Sequence, residues 1–234
     1  MGCSPAAIPA KPAAWELRHG GRRDSLGRDM TDVFDATPAA ISTARLRLRA
    51  LTVGDAPAVH AYAFDPEVAR FTPWRPQSSE LFAKGYIKVI TQPEFLNWAI
   101  TQPPADQAIG MVFLHSFSQE HRKAEIAFNL ARAHWNQGLA TEAGAAVLDF
   151  GFRRLGLNRI EATCMPENLA SRKVLEKLGM ACEGRMRKSH HRYDGFHDMD
   201  LFALLSSPPL PRSPLPAAGL NSAEPARPPV HQMK

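Results

Sequence analysis

The sequence predicts a mixed α/β domain, because strand-like and helix-like periods alternate through its central part. Residues 125–130 alternate polar with apolar side chains, which is the two-residue period of a strand. From Gly138 the period lengthens, and Leu148, Phe152 and Leu155 then fall on one face of a helix. A further strand candidate and a further helix candidate follow, so the central part reads strand, helix, strand, helix.

The remaining elements can be placed in chain order from shorter signals. A helix candidate begins at Asp55 and covers residues 55–64 and beyond. Tyr193-Asp194-Gly195 is a hairpin signal, because Asp-Gly favours the positive backbone angles of tight turns. Besides residues 125–130, the predicted strands are residues 45–49, 97–101, 157–164, 180–186 and 196–205.

The loop at residues 136–140 leads into the first central helix. The first N–H groups of a helix have no intrahelical partner, and the positive helix end favours an anion. Gly138 and the small Ala140 let phosphate oxygens approach the backbone, and Thr141 adds a polar group in the first turn. The loop therefore predicts either a pyrophosphate site or ordinary helix capping.

The second central helix has a clear start and a clear end. Asn168 is a favourable N-cap residue, and Ser171 falls in the first turn. A glycine directly after the last apolar residue is typical of a helix C-terminus. The apolar face and the C-cap are Val174, Leu175, Leu178 and Gly179.

Together these motifs resemble the GNAT acetyltransferases, whose pyrophosphate loop follows the pattern Gln/Arg-x-x-Gly-x-Gly/Ala. Residues 135–140 read Trp-Asn-Gln-Gly-Leu-Ala, so Trp135 departs from the first position. An aromatic residue there, the Asn168-x-x-Ser171 segment, and residues 43–49 and 65–68 resemble the Rim-type branch, which contains ribosomal-protein N-terminal acetyltransferases. The resemblance covers about residues 43–205.

The resemblance implies the GNAT fold, a central twisted and mostly antiparallel sheet flanked by helices, with acetyl-CoA as the acetyl donor. It also implies that the strand at residues 125–130 separates from its neighbour and holds the pantetheine and the acetyl group with its backbone. The residues that it places at the cofactor are Phe128, Asn129, Leu130, Asn136, Gln137, Gly138, Leu139, Ala140, Thr141 and Asn168.

The chemistry of acetyl transfer needs an N–H donor for the carbonyl and a proton donor for the departing thiolate. By resemblance, the N–H of Asn129 or Leu130 takes the first role. Ser171 matches the Rim-type serine that protonates or orients the CoA sulfur. For Ser171 the alternative is a capping role alone, and for Asn168 a capping role is compatible with cofactor binding.

The general base has several candidates. Glu125 lies on the strand beside the expected acetyl group, and a plain surface carboxylate is the alternative. His190, with His191 beside it, lies on the hairpin arm where Rim-type enzymes can carry a carboxylate. An imidazole with an ordinary pKa of ~6.5 can accept an amine proton near neutral pH. A chain of water molecules is a further alternative, and Tyr193 is an alternative proton donor.

The sequence thus predicts direct transfer of an acetyl group from acetyl-CoA to a primary amine, without a covalent enzyme intermediate and without a metal. The predicted acceptor is a protein N-terminal amine, such as that of a ribosomal protein. The alternatives are a small amine (an aminoglycoside, polyamine or amino-acid derivative) and a catalytically silent CoA-binding regulator. A homodimer is left open.

The formal net charge is +5 and the isoelectric point is about 9.3. The basic residues are dispersed, and no basic stripe is interleaved with aromatic residues, so the pattern does not favour nucleic acid as a partner. Arg45, Arg47 and Arg49 are interpreted as a solvated strand face. The densest basic cluster, at residues 185–192, suits CoA phosphates, an acidic substrate, ribosomal RNA or a simply solvated hairpin.

The cysteines favour a reducing cytoplasm, because Cys3, Cys164 and Cys182 show no metal-binding spacing and cannot all pair. Cys164 and Cys182 fall in strand candidates and are predicted to be small core residues. The sequence contains no apolar run of about 20 residues, so no membrane span is predicted. No signal peptide is predicted either.

The predicted domain covers residues 39–205. Residues 1–38 are rich in Ala, Pro, Gly and Arg, and residues 206–234 are rich in Pro, so both are predicted to be disordered extensions. Met30 is an alternative translation start. Phe71 and Trp74 are interpreted as packing residues, with the wall of the acceptor site as the alternative.

Overall fold

The computed structural model describes residues 38–63, 65–72 and 79–207. Met30, Trp74 and nearly all of the two predicted extensions lie outside these residues. The disorder predictions and the alternative start therefore stay predictions.

A single sheet contains all eight strands of the described residues, in the order β1-β2-β3-β4-β5-β6-β8-β7. Every neighbouring pair is antiparallel except β5 and β6, which run parallel. This arrangement confirms the predicted mixed α/β fold with a mostly antiparallel sheet. The strands are β1 (Ile41–Ser42), β2 (Arg47–Ala50), β3 (Leu96–Thr101), β4 (Gly110–Ser118), β5 (Lys123–Leu130), β6 (Arg159–Cys164), β7 (Ala181–Arg192) and β8 (Gly195–Leu205).

Two groups of helices cover opposite faces of the sheet. One face packs against α4 and α5 around Trp98, Ile160 and Phe202, and the other packs against α1, α2 and α3 around Met111. Burial of each large apolar side chain contributes about 2 kcal/mol, so both layers stabilise the sheet. The helices are α1 (Ala56–Ala63), α2 (Pro66–Ala69), α3 (Glu80–Ile90), α4 (Leu139–Arg153) and α5 (Leu169–Lys177).

Helix α4 lies close to the sheet because glycine lines its inner face. A Cβ atom at Gly151 would stand 2.7 Å from Cδ1 of Ile160 on β6, so a larger residue would displace the Ile160 side chain or the helix. The alanines of α4 favour the helical state. The helix ends at Arg153, so Leu155, expected on its apolar face, lies beyond it. This close packing fixes where the loop before α4 stands relative to β5 and β6.

The hairpin between β7 and β8 has the predicted turn. Arg192 lies opposite Gly195, and Tyr193 and Asp194 form the two-residue connection. Gly195 has φ of 127°, a value that residues with a side chain rarely adopt.

Two elements carry no clear sequence signal. Strand β4 is buried on both faces over residues 110–114, so its apolar residues do not alternate. Helix α3 starts at Ser79, whose hydroxyl accepts the Phe82 N–H at 3.2 Å, but exposed Leu81 and Phe82 blur its apolar face.

Three surface expectations are wrong. Cys182 is exposed, because β7 is the outermost strand of the sheet and its residues there face solvent; Cys164 is buried as predicted. Arg45 precedes β2 and lies in a turn, where it pairs with Glu142. Arg49 is on β2 but is not a solvated residue, since its guanidinium pairs with Asp55 and Asp106.

None of the helices in the described ranges has both the length and the apolar composition needed to cross a membrane.

Candidate active site

Strands β5 and β6 separate after a short parallel ladder. The ladder contains three register pairs, the last of which is Glu125 with Glu161. Strand β5 then continues to Leu130 and β6 continues to Cys164 without further pairing between them. The sheet therefore opens into a cleft between residues 126–130 and 162–164, as the resemblance implied.

The register of β4 and β5 decides which amide groups face this cleft. Gly110 lies opposite Leu130, and the Ala131 N–H donates to the Ile109 carbonyl at 2.8 Å. In an antiparallel ladder, this makes Leu130 part of a non-hydrogen-bonded pair, so its amide points away from β4. The amide of Asn129 instead belongs to the ladder with β4. Of the two predicted N–H donors, only that of Leu130 faces the cleft.

The loop before α4 leaves the start of this helix open to an anion. Gly138 is the N-cap residue with φ of 75°, and no side chain caps the helix. Asn136 also has a positive φ of 58°, which asparagine tolerates better than most residues. The side chain of Leu139 is buried in the core, so only its main chain can contact a ligand. The loop thus presents backbone N–H groups at the positive end of a 15-residue helix.

An ion pair holds this loop in place. The Arg45 Nη2 and Glu142 Oε2 atoms lie 2.7 Å apart, and the Arg45 Nη1 donates to the Gln137 carbonyl at 2.9 Å. Glu142 also accepts the Thr43 hydroxyl at 2.6 Å. Burial acts to raise the pKa of Glu142. The hydrogen bonds from the Thr43 hydroxyl and from the main chain and guanidinium of Arg45, together with the positive charge of Arg45, outweigh burial and hold this pKa below its ordinary value. Arg45 therefore adds a positive charge beside Gly138.

Trp135 has a definite role at the position where the resemblance expected Gln or Arg. Its indole N–H donates to the Leu130 carbonyl at 2.7 Å. The loop is thereby tied to the end of β5, and the Leu130 carbonyl is occupied while its N–H faces the cleft. Gln137 is used inside the loop as well, since its side-chain amide donates to the Ala133 carbonyl at 3.0 Å.

The start of α5 has the predicted cap. Asn168 accepts the Ser171 N–H through its side-chain oxygen at 3.1 Å. Both residues are half-buried, so they are reachable from solvent or from a ligand. The hydroxyl of Ser171 stands in the first turn of the helix that follows β6, on the far side of the cleft from β5.

Glu125 stands at the closed end of the cleft with two neighbours that the sequence did not indicate. The Thr163 hydroxyl on β6 donates to the Glu125 carboxylate at 2.9 Å. His115 on β4 lies directly opposite Glu125 in the register. Burial lowers the pKa of His115, and the negative charge of Glu125 raises it in part. Thr163 thus fixes the carboxylate from across the cleft.

His190 is close enough to Glu125 for the carboxylate charge to act on its imidazole. Burial, Arg192 and His197 lower the pKa of His190, while the charge of Glu125 raises it. At neutral pH His190 is therefore uncharged and able to accept a proton. The fold brings the two predicted base candidates into one region, although they are separated by 65 positions in the sequence.

Comparison with known proteins agrees with this geometry. The family model described as "Acetyltransferase (GNAT) domain" matches residues 45–181, more than half of the chain. The protein p20 of Bacillus licheniformis, described as an N-acetyltransferase, is 34% identical over 167 residues, which cover 70% of this chain and 94% of p20. The chain belongs to the GNAT acetyltransferases.

Other members of this family are also similar. A GNAT acetyltransferase structure from Bacillus anthracis is 30% identical with a TM-score of 0.65, and the match covers 71% of this chain and 98% of that one. The Escherichia coli strain K12 protein named ribosomal-protein-serine acetyltransferase is 26% identical over 98 residues, or 42% of this chain and 55% of that protein. As a GNAT member the chain is an acetyl-CoA-dependent N-acetyltransferase.

The residues of this GNAT domain fit acetyl-CoA. The open ladder beside Leu130 offers an amide to the pantetheine arm, and the uncapped start of α4 offers N–H groups to the pyrophosphate. The side-chain oxygen of Asn129 is buried without a hydrogen-bond partner in the described part of the chain. Such an orphaned acceptor is costly unless a ligand satisfies it. Within residues 38–63, 65–72 and 79–207, no cluster of His, Cys, Asp or Glu is arranged to hold a metal ion.

The predicted GNAT site residues fall into two groups. The fold gathers those at residues 125–141 around β5 and the loop before α4, while Asn168, Ser171 and His190 face them from the other side of the cleft. The sequence did not indicate Arg45, His115 or Thr163. Only the register of β4, β5 and β6 brings His115 and Thr163 to Glu125, and no local pattern reports that register.

Proposed function

We propose that this acetyltransferase modifies the N-terminal α-amine of a protein in the cytoplasm, by direct transfer from acetyl-CoA. The name of the similar E. coli protein, a ribosomal-protein-serine acetyltransferase, supports this acceptor class. The Rim-type residues at positions 135–142 and 168–179 support it as well. A small-molecule amine is the second candidate, because a base at Glu125 serves any primary amine.

The observation that carries the proposal is the placement of Glu125. It occupies the last register pair before the strands separate, so its carboxylate stands where the cleft begins. The Thr163 hydroxyl holds that carboxylate at 2.9 Å. Residues 128–130, along which the carbonyl is proposed to lie, are about 10 to 17 Å further along the same strand. Glu125 is the proposed base, and it takes the proton of the amine through water.

An α-amine suits such a base. Its ordinary pKa is about 8, so a part of the acceptor is already neutral near pH 7 and loses only one proton, to the base, when it attacks the carbonyl. His190, uncharged at neutral pH, is the alternative proton acceptor in the same region. The two candidates differ in their expected pH profiles, because the activity that depends on His190 is lost as the pH falls through the lowered pKa of its imidazole.

The other proposed roles follow from the walls of the cleft. Acetyl-CoA supplies an activated thioester carbonyl. The Leu130 N–H, which points away from β4, donates to the carbonyl oxygen and stabilises the negative charge that develops there. Ser171, in the first turn of α5, gives a proton to the departing thiolate. Asn168 and the loop at residues 136–141 hold the cofactor.

The first experiment is a calorimetric titration with acetyl-CoA followed by acetylation assays on N-terminal peptides and on small amines. Micromolar binding and transfer to peptides are expected. Transfer to small amines alone would overturn the proposed acceptor class while leaving the acetyltransferase activity intact.

The role of Glu125 is tested with Glu125→Gln, which keeps the size and removes the charge. We expect kcat to fall about 10² to 10⁴-fold, the range of general base catalysis, with acetyl-CoA affinity unchanged. Glu161→Gln is the matched control, because Glu161 is the register partner of Glu125 but pairs with Lys123 and Arg159. Equal losses in the two variants, or no loss in Glu125→Gln, would remove Glu125 from the mechanism.

The homodimer remains a prediction, which analytical ultracentrifugation can test.

A further inference from the structure

Arg192 is buried at the tip of a strand that is otherwise exposed. Its relative accessibility is 5%, whereas residues 181–189 of β7 all face solvent. Burial of a guanidinium costs free energy unless its N–H groups find partners. A buried charge at this place therefore indicates that the tip of the hairpin is held against something specific.

The contacts of Arg192 join three separate segments. Nη1 donates to the Arg70 carbonyl at 2.8 Å and lies 3.5 Å from the sulfur of Met165. Nη2 donates to the Tyr193 hydroxyl at 3.2 Å, whereas Nε makes no hydrogen bond within the described part of the chain and has only an ion-pair contact of 3.4 Å with a carboxylate oxygen of Asp194. Arg70 caps α2, and Met165 follows β6 directly. The guanidinium thus connects α2, the end of β6 and the hairpin turn.

A second contact connects α2 to the other wall of the cleft. Asp65, the N-cap residue of α2, lies 3.8 Å from the guanidinium of Arg132. Arg132 follows the end of β5. The segments now form a closed rim around the open end of the cleft: the end of β5, α2, the hairpin turn and the end of β6. We call this ring the rim.

The rim lies on the face of the sheet that carries Glu125. Val68 and Ala69 of α2 pack in the same cluster as Met111 and Phe113 of β4. These β4 residues share a face with His115, the register partner of Glu125, because alternate residues of a strand point the same way. The rim therefore borders the open end of the cleft on the face of the sheet from which Glu125 projects.

We propose that Arg192 is a positioning residue that closes the rim and so sets the entrance for the acceptor amine. This inference rests on the proposed role of Glu125 at the acceptor side. Arg192 does not touch the reacting atoms; it fixes the distance between α2 and the end of β6. A planar guanidinium contacts several acceptors at once, which a lysine ammonium on a flexible stem does not reproduce. The loop that holds the pyrophosphate is not part of the rim.

The test compares Arg192→Met and Arg192→Lys with Arg187→Met. Arg187 lies on the same strand and is exposed, so it is a matched control. For Arg192→Met we expect the KM for the best acceptor of the peptide and small-amine panel to rise about tenfold, because acceptor binding then has to order a rim that has lost a charge-assisted hydrogen bond. The Kd of acetyl-CoA should change by less than about twofold. The acceptor KM of Arg192→Lys should lie between those of the wild type and Arg192→Met. Arg187→Met should behave as wild type.

Hydrogen exchange adds a readout that needs no acceptor. In Arg192→Met the amides of residues 65–72 and 190–197 should exchange faster, and those of residues 136–147 should not. Unchanged exchange at residues 65–72, or an unchanged acceptor KM, overturns the proposal. An equal rise in acceptor KM and acetyl-CoA Kd also overturns it, because it indicates a general loss of structure.

Failure of the proposed function has a different signature. If the wild type acetylates only small amines, the protein N-terminal acceptor is wrong, but the KM shift and the exchange pattern still test the rim. If Arg192→Met does not fold, Asp194→Asn replaces it, since Asp194 is the carboxylate partner of Arg192. Asp194→Asn should then raise the acceptor KM by a smaller factor and speed up amide hydrogen exchange at residues 190–197. If neither change is seen, the proposal is contradicted.

Discussion

The two halves of the sheet are built in different ways. Strands β1 to β5 are neighbours in the sequence as well as in the sheet, run antiparallel and pack against helices on both faces. Strands β6, β8 and β7 form the other half, and β7 at its edge is exposed along most of its length. Only three register pairs join the halves. Both halves line the cleft, but only the second half ends in a strand that is exposed along most of its length.

The gap between the two halves of the sheet indicates where acetyl-CoA is proposed to bind. Because the ladder between β5 and β6 stops early, amide groups near the end of β5 have no partner on β6. The pantetheine arm of acetyl-CoA can serve as that partner. In the proposed binding mode, the cofactor lies between the two halves like a missing strand. The base candidate Glu125 comes from the first half, and the acid candidate Ser171 comes from the second. Catalysis therefore depends on the distance between the halves.

The largest expected effect is the loss of acetyl-CoA affinity when the loop before α4 is blocked. Gly138→Asp puts a side chain at φ of 75° and a negative charge at the start of α4, where the pyrophosphate is proposed to bind. We expect acetyl-CoA affinity to fall at least about 10²-fold in calorimetry, because an electrostatic attraction becomes a repulsion.

Two matched variants separate the causes. Gly156→Asp carries the same charge at a similar φ of 66°, with nothing within 4 Å of its Cβ atom. It should bind acetyl-CoA as the wild type does. Gly138→Asn keeps the shape without the charge and should lose less affinity than Gly138→Asp. A folded Gly138→Asp protein with normal affinity would show that the loop does not hold the phosphates.

The second prediction compares ion pairs in the two halves. Asp55 is 7% exposed and accepts hydrogen bonds from Arg49 and Thr52, whereas Glu183 on β7 is exposed and pairs with Arg159. Loss of the Asp55 charge leaves a half-buried guanidinium without its main partner. In urea unfolding, Asp55→Asn should lower the free energy of unfolding by about 2 kcal/mol. Glu183→Gln should leave it within the error of the measurement.

The pH dependence sharpens this comparison. Burial acts to raise the pKa of Asp55, but the hydrogen bonds from Arg49 and Thr52 outweigh it and hold the pKa below its ordinary value. A carboxyl with a lowered pKa in the folded state contributes stability above its unfolded pKa of about 4 and loses it as the pH falls through the folded value. The difference between wild type and Asp55→Asn should therefore shrink below about pH 4. A constant difference from pH 7 to pH 3 would contradict an electrostatic origin.

Local signals predicted the parts of the fold that local residues determine. The cap at Asn168, the turn at Tyr193-Asp194 and the glycine that ends α5 at position 179 each have a residue type suited to one backbone conformation, and each appears where the sequence placed it. Strand β4 was missed because burial on both faces removes alternation. The family resemblance, rather than any periodicity, predicted that β5 and β6 separate.

The candidate site was predictable only along single segments. Residues 125–141 are close in sequence, so one motif indicates them together. The contacts of Glu125 with Thr163, and of Arg45 with Glu142, join residues 38 and 97 positions apart. Such pairs depend on strand register and helix docking, which a single sequence does not report. For the same reason nothing in the sequence indicated that Arg192 differs from the other members of the basic cluster at residues 185–192, although it is buried.

The smallest expected effect concerns the acid candidate of the second half. Ser171→Ala removes one hydroxyl from the first turn of α5 and keeps the Asn168 cap, because Asn168 accepts the main-chain N–H of residue 171. If the hydroxyl gives its proton to the thiolate, kcat should fall about 10 to 10²-fold while the Kd of acetyl-CoA stays within about twofold. Lys173→Ala, an exposed change on the same helix, is the control and should leave both constants unchanged. Leaving-group dependence makes the test specific: an acyl donor whose thiol has a lower pKa needs less proton donation, so it should restore part of the lost turnover. Equal turnover of Ser171→Ala and wild type would show that the cleft expels the thiolate without Ser171, and the second half of the sheet would then contribute walls and cofactor contacts rather than an acid.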